Sequence, residues 1–271
     1  MSEPPLCIKM TVATVTYNAA ELIESTIASV EEQDYPYVEH LIIDGNSQDS
    51  TLEAVHHYQE RNSVADVRHE VNCLSEPDEG LYDAMNKAID MATGHYIVFL
   101  NAGDRLHSPD TLSRLVAALE LKEETPIDVN KLPAVIYGDT HLIDAEGNFL
   151  RRHRLSPPER LHWRSFRQGM LVCHQAFYVR TDLAREHHYD RNYRFSADFD
   201  WCIRLMREAA QRKLSLLNAR SVVADYLHEG MTTRNHKASL NERFHIMCHH
   251  YGWLTTIGFH AWFLIRSFLK R

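Results

Sequence analysis

Three stretches of the chain are apolar almost without interruption, and each ends in a small polar turn. "MTVATVTY" (10–17), "VEHLIID" (38–44) and "HYIVFL" (95–100) have the length and β-branched content of buried parallel strands. Between them the period changes from 2 to 3.6. After Asn18, which with Glu21 resembles a capping box, Leu22, Ile23, Thr26, Ile27 and Val30 fall on one helical face. "STLEAVHHYQER" predicts a second helix, "DVRHEV" a short strand and "LYDAMNKAIDMA" a third helix. Strands alternating with helices at this spacing predict an α/β fold with a mostly parallel sheet, right-handed crossovers and helices on both faces. Ligands bind such sheets at the carboxyl ends of the strands.

Past about residue 108 the rhythm loosens. A helix over 108–121 is followed by "AVIYGDTHL" and "GNFLRRHR", which read as strands of a more mixed sheet. "VCHQAFYV" reads as another strand and "ADFDWCIRLMREAAQR" as an amphipathic helix. One domain over 1–235 is expected, with a nucleotide half at about 8–107 and an acceptor half at about 108–235. A C-terminal helical segment, 236–271, follows.

Charge sharpens this division. The formal net charge is −8, but residues 204–271 hold eleven Lys and Arg against four Asp and Glu, so the basic balance sits at the C-terminal end. The segment "WLTTIGFHAWFLIRSFLKR" is aromatic, apolar and basic at its end. From Trp253 to Leu269 it falls short of the roughly 20 residues that span a bilayer. Two readings stay open: an interfacial helix on an anionic membrane surface, or a helix docked on the core. Nucleic acid is not expected as a partner, because the rest of the chain is acidic. "RRHRLSPPERLHWRSFR" (151–167) carries six Arg and one Glu, and reads either as a solvated face or as a contact for a lipid headgroup or diphosphate.

Five scattered cysteines with no C-x-x-C spacing argue against a disulfide framework or a structural zinc site and fit a reducing cytoplasm. No basic-then-apolar signal pattern opens the chain. The 18 histidines include three HH pairs but no H-E-x-x-H, and read as surface or core residues.

The first strand runs into "NAAE" without glycine, so the G-x-G-x-x-G turn of a dinucleotide-binding enzyme is absent, as is the P-loop pattern. What remains are polar residues at three strand ends: Thr14 to Asn18, Asp44, and Asn101 to Asp104. A carboxylate at the second strand end suits the edge of a nucleobase, and one after a later strand suits a hard divalent cation bridging two phosphates.

These stretches resemble family 2 glycosyltransferases of the GT-A fold. "TVATVTYNAAELIESTIASVEEQDYPYVEHLIIDGNSQDST" is similar to the family's opening signature, and "SEPDEGLYDAMNKAIDMATGHYIVFLNAGD" to its middle, in the branch that builds bacterial exopolysaccharides such as colanic acid. The similarity covers roughly residues 8–230. It implies that Thr14 and Tyr17 border base and ribose, that Asp44 reads the base, and that Asp78, Asn86 and Lys87 lie near ribose or diphosphate. The family's D-x-D region stands here as Asn101-Ala102-Gly103-Asp104, which leaves Asp104 as the implied ligand of Mg²⁺ or Mn²⁺ and Asn101 beside the donor. "FSADFDWCIRL" is similar to the family's E-D segment and implies Asp198 as catalytic base, with Asp200 the alternate. "CHQAFYV" implies His174 and Gln175 in the sugar or acceptor pocket.

The resulting expectation is an inverting transferase. It would move a sugar from a UDP- or GDP-type donor to a hydroxyl of a lipid-linked or oligosaccharide acceptor, at the inner face of the cell membrane. A degenerate protein that binds nucleotide sugars or organises partners is the alternative, supported by the missing carboxylates at 101 and 103.

Overall fold

The computed structural model describes residues 7–121, 127–228 and 236–269. Strands β1 (Met10–Thr16), β2 (Val38–Asp44), β3 (Glu70–Ser75) and β4 (Tyr96–Phe99) pair in parallel in the order β3-β2-β1-β4. Helices α1 (Ala20–Glu31), α2 (Thr51–Val64) and α3 (Leu81–Met91) make the connections. The sheet continues through β8 (Phe177–Arg180), β6 (Val135–Ile143), β9 (Leu216–Leu227) and the two-residue β5 (Arg105–Leu106), with β7 (Phe149–Arg152) paired to β6. In this second half β4–β8, β8–β6, β6–β7 and β9–β5 are antiparallel, while β6–β9 is parallel. The remaining helices are α4 (Thr111–Ala117), α5 (Thr181–Glu186), α6 (Ala197–Gln211), α7 (His236–Tyr251) and α8 (Trp253–Leu269).

Both halves therefore share one sheet and one core. That core runs from Ile8 on the way into β1 to Ile246 and Met247 of α7. The expected boundary after residue 235 lies outside the described residues, but α7 itself packs into the common interior. β1 and β2 are buried along their whole length, as apolar strands covered on both faces should be.

Several local expectations give way. Asn18 does not cap α1: it sits at φ 46°, and its Oδ1 accepts from Gln48 N. The free N–H groups at the start of α1 are met instead by the turn after β2, where Asp49 Oδ2 accepts from Ala20 N and Thr51 Oγ1 from Ala19 N. β3 begins at Glu70, later than "DVRHEV" implied, because Asn62 of α2 holds the backbone of His69 through two hydrogen bonds. "VCHQAFYV" yields only the short β8, preceded by a single 3₁₀ turn over His174–Ala176. β9 is not predicted by periodicity, because "NARS" interrupts its apolar pattern. There the strand bulges, with Arg220 at φ 53° and the β6–β9 register shifting opposite.

Beneath the strand ends, His40 is fully buried between Thr14 Oγ1 at 3.0 Å and the Tyr58 hydroxyl at 3.2 Å. Burial, with the nearby His69, pushes its pKa down to about 3. The folded state thus holds His40 neutral, whereas an unfolded histidine takes a proton near pH 6.5. That stability is complete above pH 6.5 and is lost as pH falls toward 3. Urea unfolding at pH 7 and pH 5 should show a share of roughly 2 kcal/mol from this group, absent in His40→Gln. Equal pH dependence in the two proteins would assign the acid sensitivity elsewhere.

Candidate active site

The carboxyl ends of β1, β2 and β3 converge on one small cluster. Tyr17 leaves β1 with its ring 63% exposed. A Cβ on Gly45, just after β2, would come within 3.3 Å of that ring and 2.7 Å of Asp78 Oδ2, so only glycine lets the three lie together. Asp78 is fixed by Gly80 N, which donates to its Oδ1 at 2.8 Å. An exposed aromatic face beside a half-buried carboxylate can hold a planar, hydrogen-bonding group.

Other sequence-derived candidates are turned inward. Thr14 is fully buried against His40 and does not reach the open end of β1. Asp44 is fully buried as well: Ser47 N and Ser75 Oγ donate to its Oδ2 at 2.9 and 2.6 Å, and Ser47 Oγ to its Oδ1 at 2.5 Å. It shapes the turn beneath the cluster instead of presenting an edge to a base. Asn86 gives both ends of its amide to the Tyr189 backbone. Lys87 pairs with Glu76 at 2.9 Å and donates to Pro77 O, which ties down the loop that carries Asp78.

After β4 the turn Asn101–Asp104 is held from three sides. Thr26 of α1 accepts from Gly103 N at 2.9 Å and donates to Asp104 O at 2.7 Å. Gly103 has φ +99°, and a Cβ there would meet Leu227 Cδ2 at 2.6 Å, which explains glycine at this position. Asp104 is only 2% exposed. Leu227 N, at the end of β9, donates to Oδ1 at 3.0 Å; Gln175 Nε2 and Asn101 N donate to Oδ2 at 2.8 and 3.3 Å. Burial pushes its carboxyl above the ordinary range, only partly offset by Gln175 and Leu227. Gln175, itself buried, serves Asp104.

The 3₁₀ turn that carries Gln175 also presents His174. Its Nδ1–H donates to Asp198 Oδ2 at 3.3 Å, and its Nε2 lies 3.5 Å from Asn101 Nδ2. Asp198, in the first turn of α6, is 9% exposed, and its Oδ1 also accepts a long hydrogen bond from the Tyr82 hydroxyl. Burial alone would raise its pKa; the hydrogen bond and charge of His174, with Arg243 further off, outweigh burial and hold the carboxyl below the ordinary range. Asp198 is therefore ionised at neutral pH. Asp200 faces the other way, between Arg204 at 2.6 Å and His250 of α7 at 2.7 Å, and fastens α7 to α6.

Two contributors escape motif reasoning. Tyr82 stacks on Tyr189, which stacks on Trp201, so the backbone clamp of Asn86 indirectly steadies the hydroxyl that meets Asp198. Arg243 comes from α7, beyond the segment of resemblance, and lies over Phe199 with its Nε buried and unbonded. Only the excess of positive charge in residues 204–271 hinted at it.

The residues around Asp104 do not fit a protein-held divalent ion. Its oxygens are committed to three donors, and the other buried oxygen of the turn, Asn101 Oδ1, is a neutral acceptor without a hydrogen-bond partner. Among the described residues, neither group of His, Cys, Asp or Glu close enough to share an ion contains Asp104, Asp198 or His174.

The model of the glycosyl transferase family 2 matches residues 11–186. The PGL/p-HBAD biosynthesis glycosyltransferase of Mycobacterium tuberculosis is 31% identical over 196 residues, covering 72% of this chain and 68% of that protein. The amylovoran biosynthesis glycosyltransferase AmsB of Erwinia amylovora is 29% identical over 202 residues, 73% of this chain and 64% of AmsB. S. aureus TarS in complex with UDP-GlcNAc superposes with a TM-score of 0.62 at 17% identity, over 89% of this chain and 64% of that one. The mannosyltransferase PcManGT of Pyrobaculum calidifontis, in complex with GDP-Man and Mn²⁺, does so with 0.54 at 21%, over 81% and 57%. The sheet with its helices is thus that of GT-A enzymes, and the chain belongs to glycosyl transferase family 2.

Proposed function

We propose that the protein is an inverting glycosyltransferase that moves a sugar from a UDP- or GDP-type nucleotide sugar to a hydroxyl of a lipid-linked glycan in bacterial surface polysaccharide synthesis. The observation that carries this reading is the buried carboxylate of Asp198 beside His174. It is oriented by His174 and Tyr82 and linked through Asn101 to the strand-end turn of the donor half. Tyr17 and Asp78 would receive the base and ribose. Asp198 would take the proton of the acceptor hydroxyl as that oxygen bonds to the anomeric carbon. The bond from that carbon to the diphosphate breaks on the opposite face, its electron pair leaving with the diphosphate. Such general-base help is worth about 10²–10⁴-fold. Arg243, whose charge reaches Asp198, brings positive potential to the developing anion.

The donors in the TarS and PcManGT complexes, UDP-GlcNAc and GDP-Man, set the candidates to test. Thermal-shift titration with UDP-, GDP- and dTDP-sugars, with and without Mn²⁺, should single out one nucleotide, and sugar release with purified membranes should follow. The buried Asp104 and the missing carboxylates favour a second reading, a nucleotide-sugar-binding protein without turnover, which predicts the shift without the release.

We infer further that α8 rests on an anionic membrane. No helix among the described residues is long and apolar enough to cross one. α8 docks on the protein through buried Thr256 and through Phe259, under Arg167, yet leaves Trp253, Leu254, Ile257, Trp262 and Ile265 exposed, Leu254 to 89%. The side chains of Arg266 and Phe268, and residues 270–271, lie outside those described. Sedimentation with anionic liposomes, partly released by salt, is expected for the wild type and lost in a Leu254→Ser, Ile257→Ser, Trp262→Ser variant that keeps its melting temperature. Unchanged sedimentation of that variant would remove α8 from the membrane.

A further inference from the structure

Three side chains, two from strands and one from the bend just after β5, meet outside the Asp198 cleft. His141 and Asp225 are direct partners across β6–β9, and Asp225 opposes Arg105 across β5–β9, two residues before His107. His107 N donates to Val223 O just past the end of β5, which continues the pairing far enough to bring its side chain to the face that holds His141 and Asp225. His107 Nδ1 stands 2.8 Å and His141 Nδ1 4.0 Å from the same Asp225 Oδ1. The two imidazoles lie 5.0 Å apart at 86°, and one potential ligand atom from each residue falls within 4.8 Å of the others.

We propose that His107, His141 and Asp225 bind a divalent transition-metal ion of the zinc type, independently of nucleotide. Two imidazoles and one carboxylate form a nitrogen and oxygen set that suits zinc and leaves a fourth position for water. Magnesium, which prefers an oxygen shell, is disfavoured. Ligand atoms around tetrahedral zinc lie about 3.3 Å apart, between the two distances seen, so small side-chain rotations close the site. Access is open through a polar cleft of about 280 Å³ lined by Ser25, Ser29, Glu32, Arg105, His107 and Asp225. On the other side Phe149 packs against His141 at 4.7 Å, limiting solvent there. The other grouping of suitable residues, Glu186, His187 and Glu208, has both carboxylates bonded to Arg212.

An ion here would fasten the β5 edge to β6 and β9. Asp225 lies two residues before Leu227, the residue that donates to Asp104, so occupancy would stiffen the floor of the Asp198 cleft without entering it.

The test uses the untagged full chain, stripped by chelator and free of nucleotide, titrated calorimetrically with zinc chloride. Metal content is read by mass spectrometry after dialysis. The expected result is one zinc per chain with micromolar or tighter affinity, weakened at least about tenfold in His141→Gln and in His107→Gln. Circular dichroism checks that each variant is folded, and zinc should raise the melting temperature of the wild type but not of His141→Gln. Mn²⁺ at the same concentration should reproduce neither the stoichiometry nor the shift. A wild-type chain that takes up no zinc, or folded variants that bind it as the wild type does, overturns the proposal.

Discussion

Asp198→Asn is expected to lower sugar transfer by about 10²–10⁴-fold while nucleotide affinity and melting temperature stay near those of the wild type. The amide keeps an oxygen for the Tyr82 hydroxyl and occupies the same volume at the head of α6. It loses the charge and the ability to take a proton. The wild-type rate should fall as pH drops through the pKa of Asp198, which lies below the ordinary carboxylate range. His174→Asn supplies the companion measurement. Without the hydrogen bond and charge of His174, burial dominates and the carboxyl pKa rises, so the acidic limb of the kcat/KM profile should move to higher pH. Near-wild-type transfer by Asp198→Asn would take the base role away from this residue, and an unmoved acidic limb in His174→Asn would break the link between the two.

Asp104→Ala is expected to destabilise the fold by on the order of 3–5 kcal/mol. Leu227 N, Gln175 Nε2 and Asn101 N would all lose their acceptor in a site that water reaches poorly. Asp104→Asn should cost less, since one oxygen remains, and its cost should depend on pH. The folded pKa of Asp104 is raised, so its proton-linked stability is present below the ordinary carboxylate pKa and lost as pH rises through the folded value. The gap between wild type and Asp104→Asn should therefore be wider at pH 4 than at pH 7. Urea unfolding at both values measures it. Unchanged stability, with Mn²⁺-dependent nucleotide binding lost, would instead mark Asp104 as a metal ligand.

The parallel half was legible because β1, β2 and β4 are covered on both faces. Continuous runs such as "MTVATVTY" and "VEHLIID" have few ways to be buried, and the polar residues that end them mark where the sheet opens. β9 was not legible, since Asn218 to Ser221 interrupts it and its partners lie far away in sequence. For the site, sequence shows which residue type stands at a strand end but not which way it faces. Asp44, Asp78 and Asp104 are equivalent on paper. In the fold, two of the three are spent on internal donors, and Asp78 keeps an accessible side. The pairing of His174 with Asp198 crosses 24 residues and depends on a 3₁₀ turn hidden inside a segment with the pattern of a strand.

The hydrogen bond from Leu227 to Asp104 spans 123 positions, and that separation orders events during synthesis. The ribosome delivers the parallel strands first, and β1 to β4 can associate before the rest of the chain emerges. Until β9 arrives, the turn after β4 has neither Leu227 to complete it nor a β9 edge for Arg105 and Leu106 to join. Contacts of such long range form slowly, and unpaired strand edges exposed meanwhile invite aggregation. The turn that carries Asp104 is thus completed late. A nascent chain arrested before residue 216 would display nearly complete parallel strands with an unfinished turn, so yield in the cell should depend on how fast translation passes through β9.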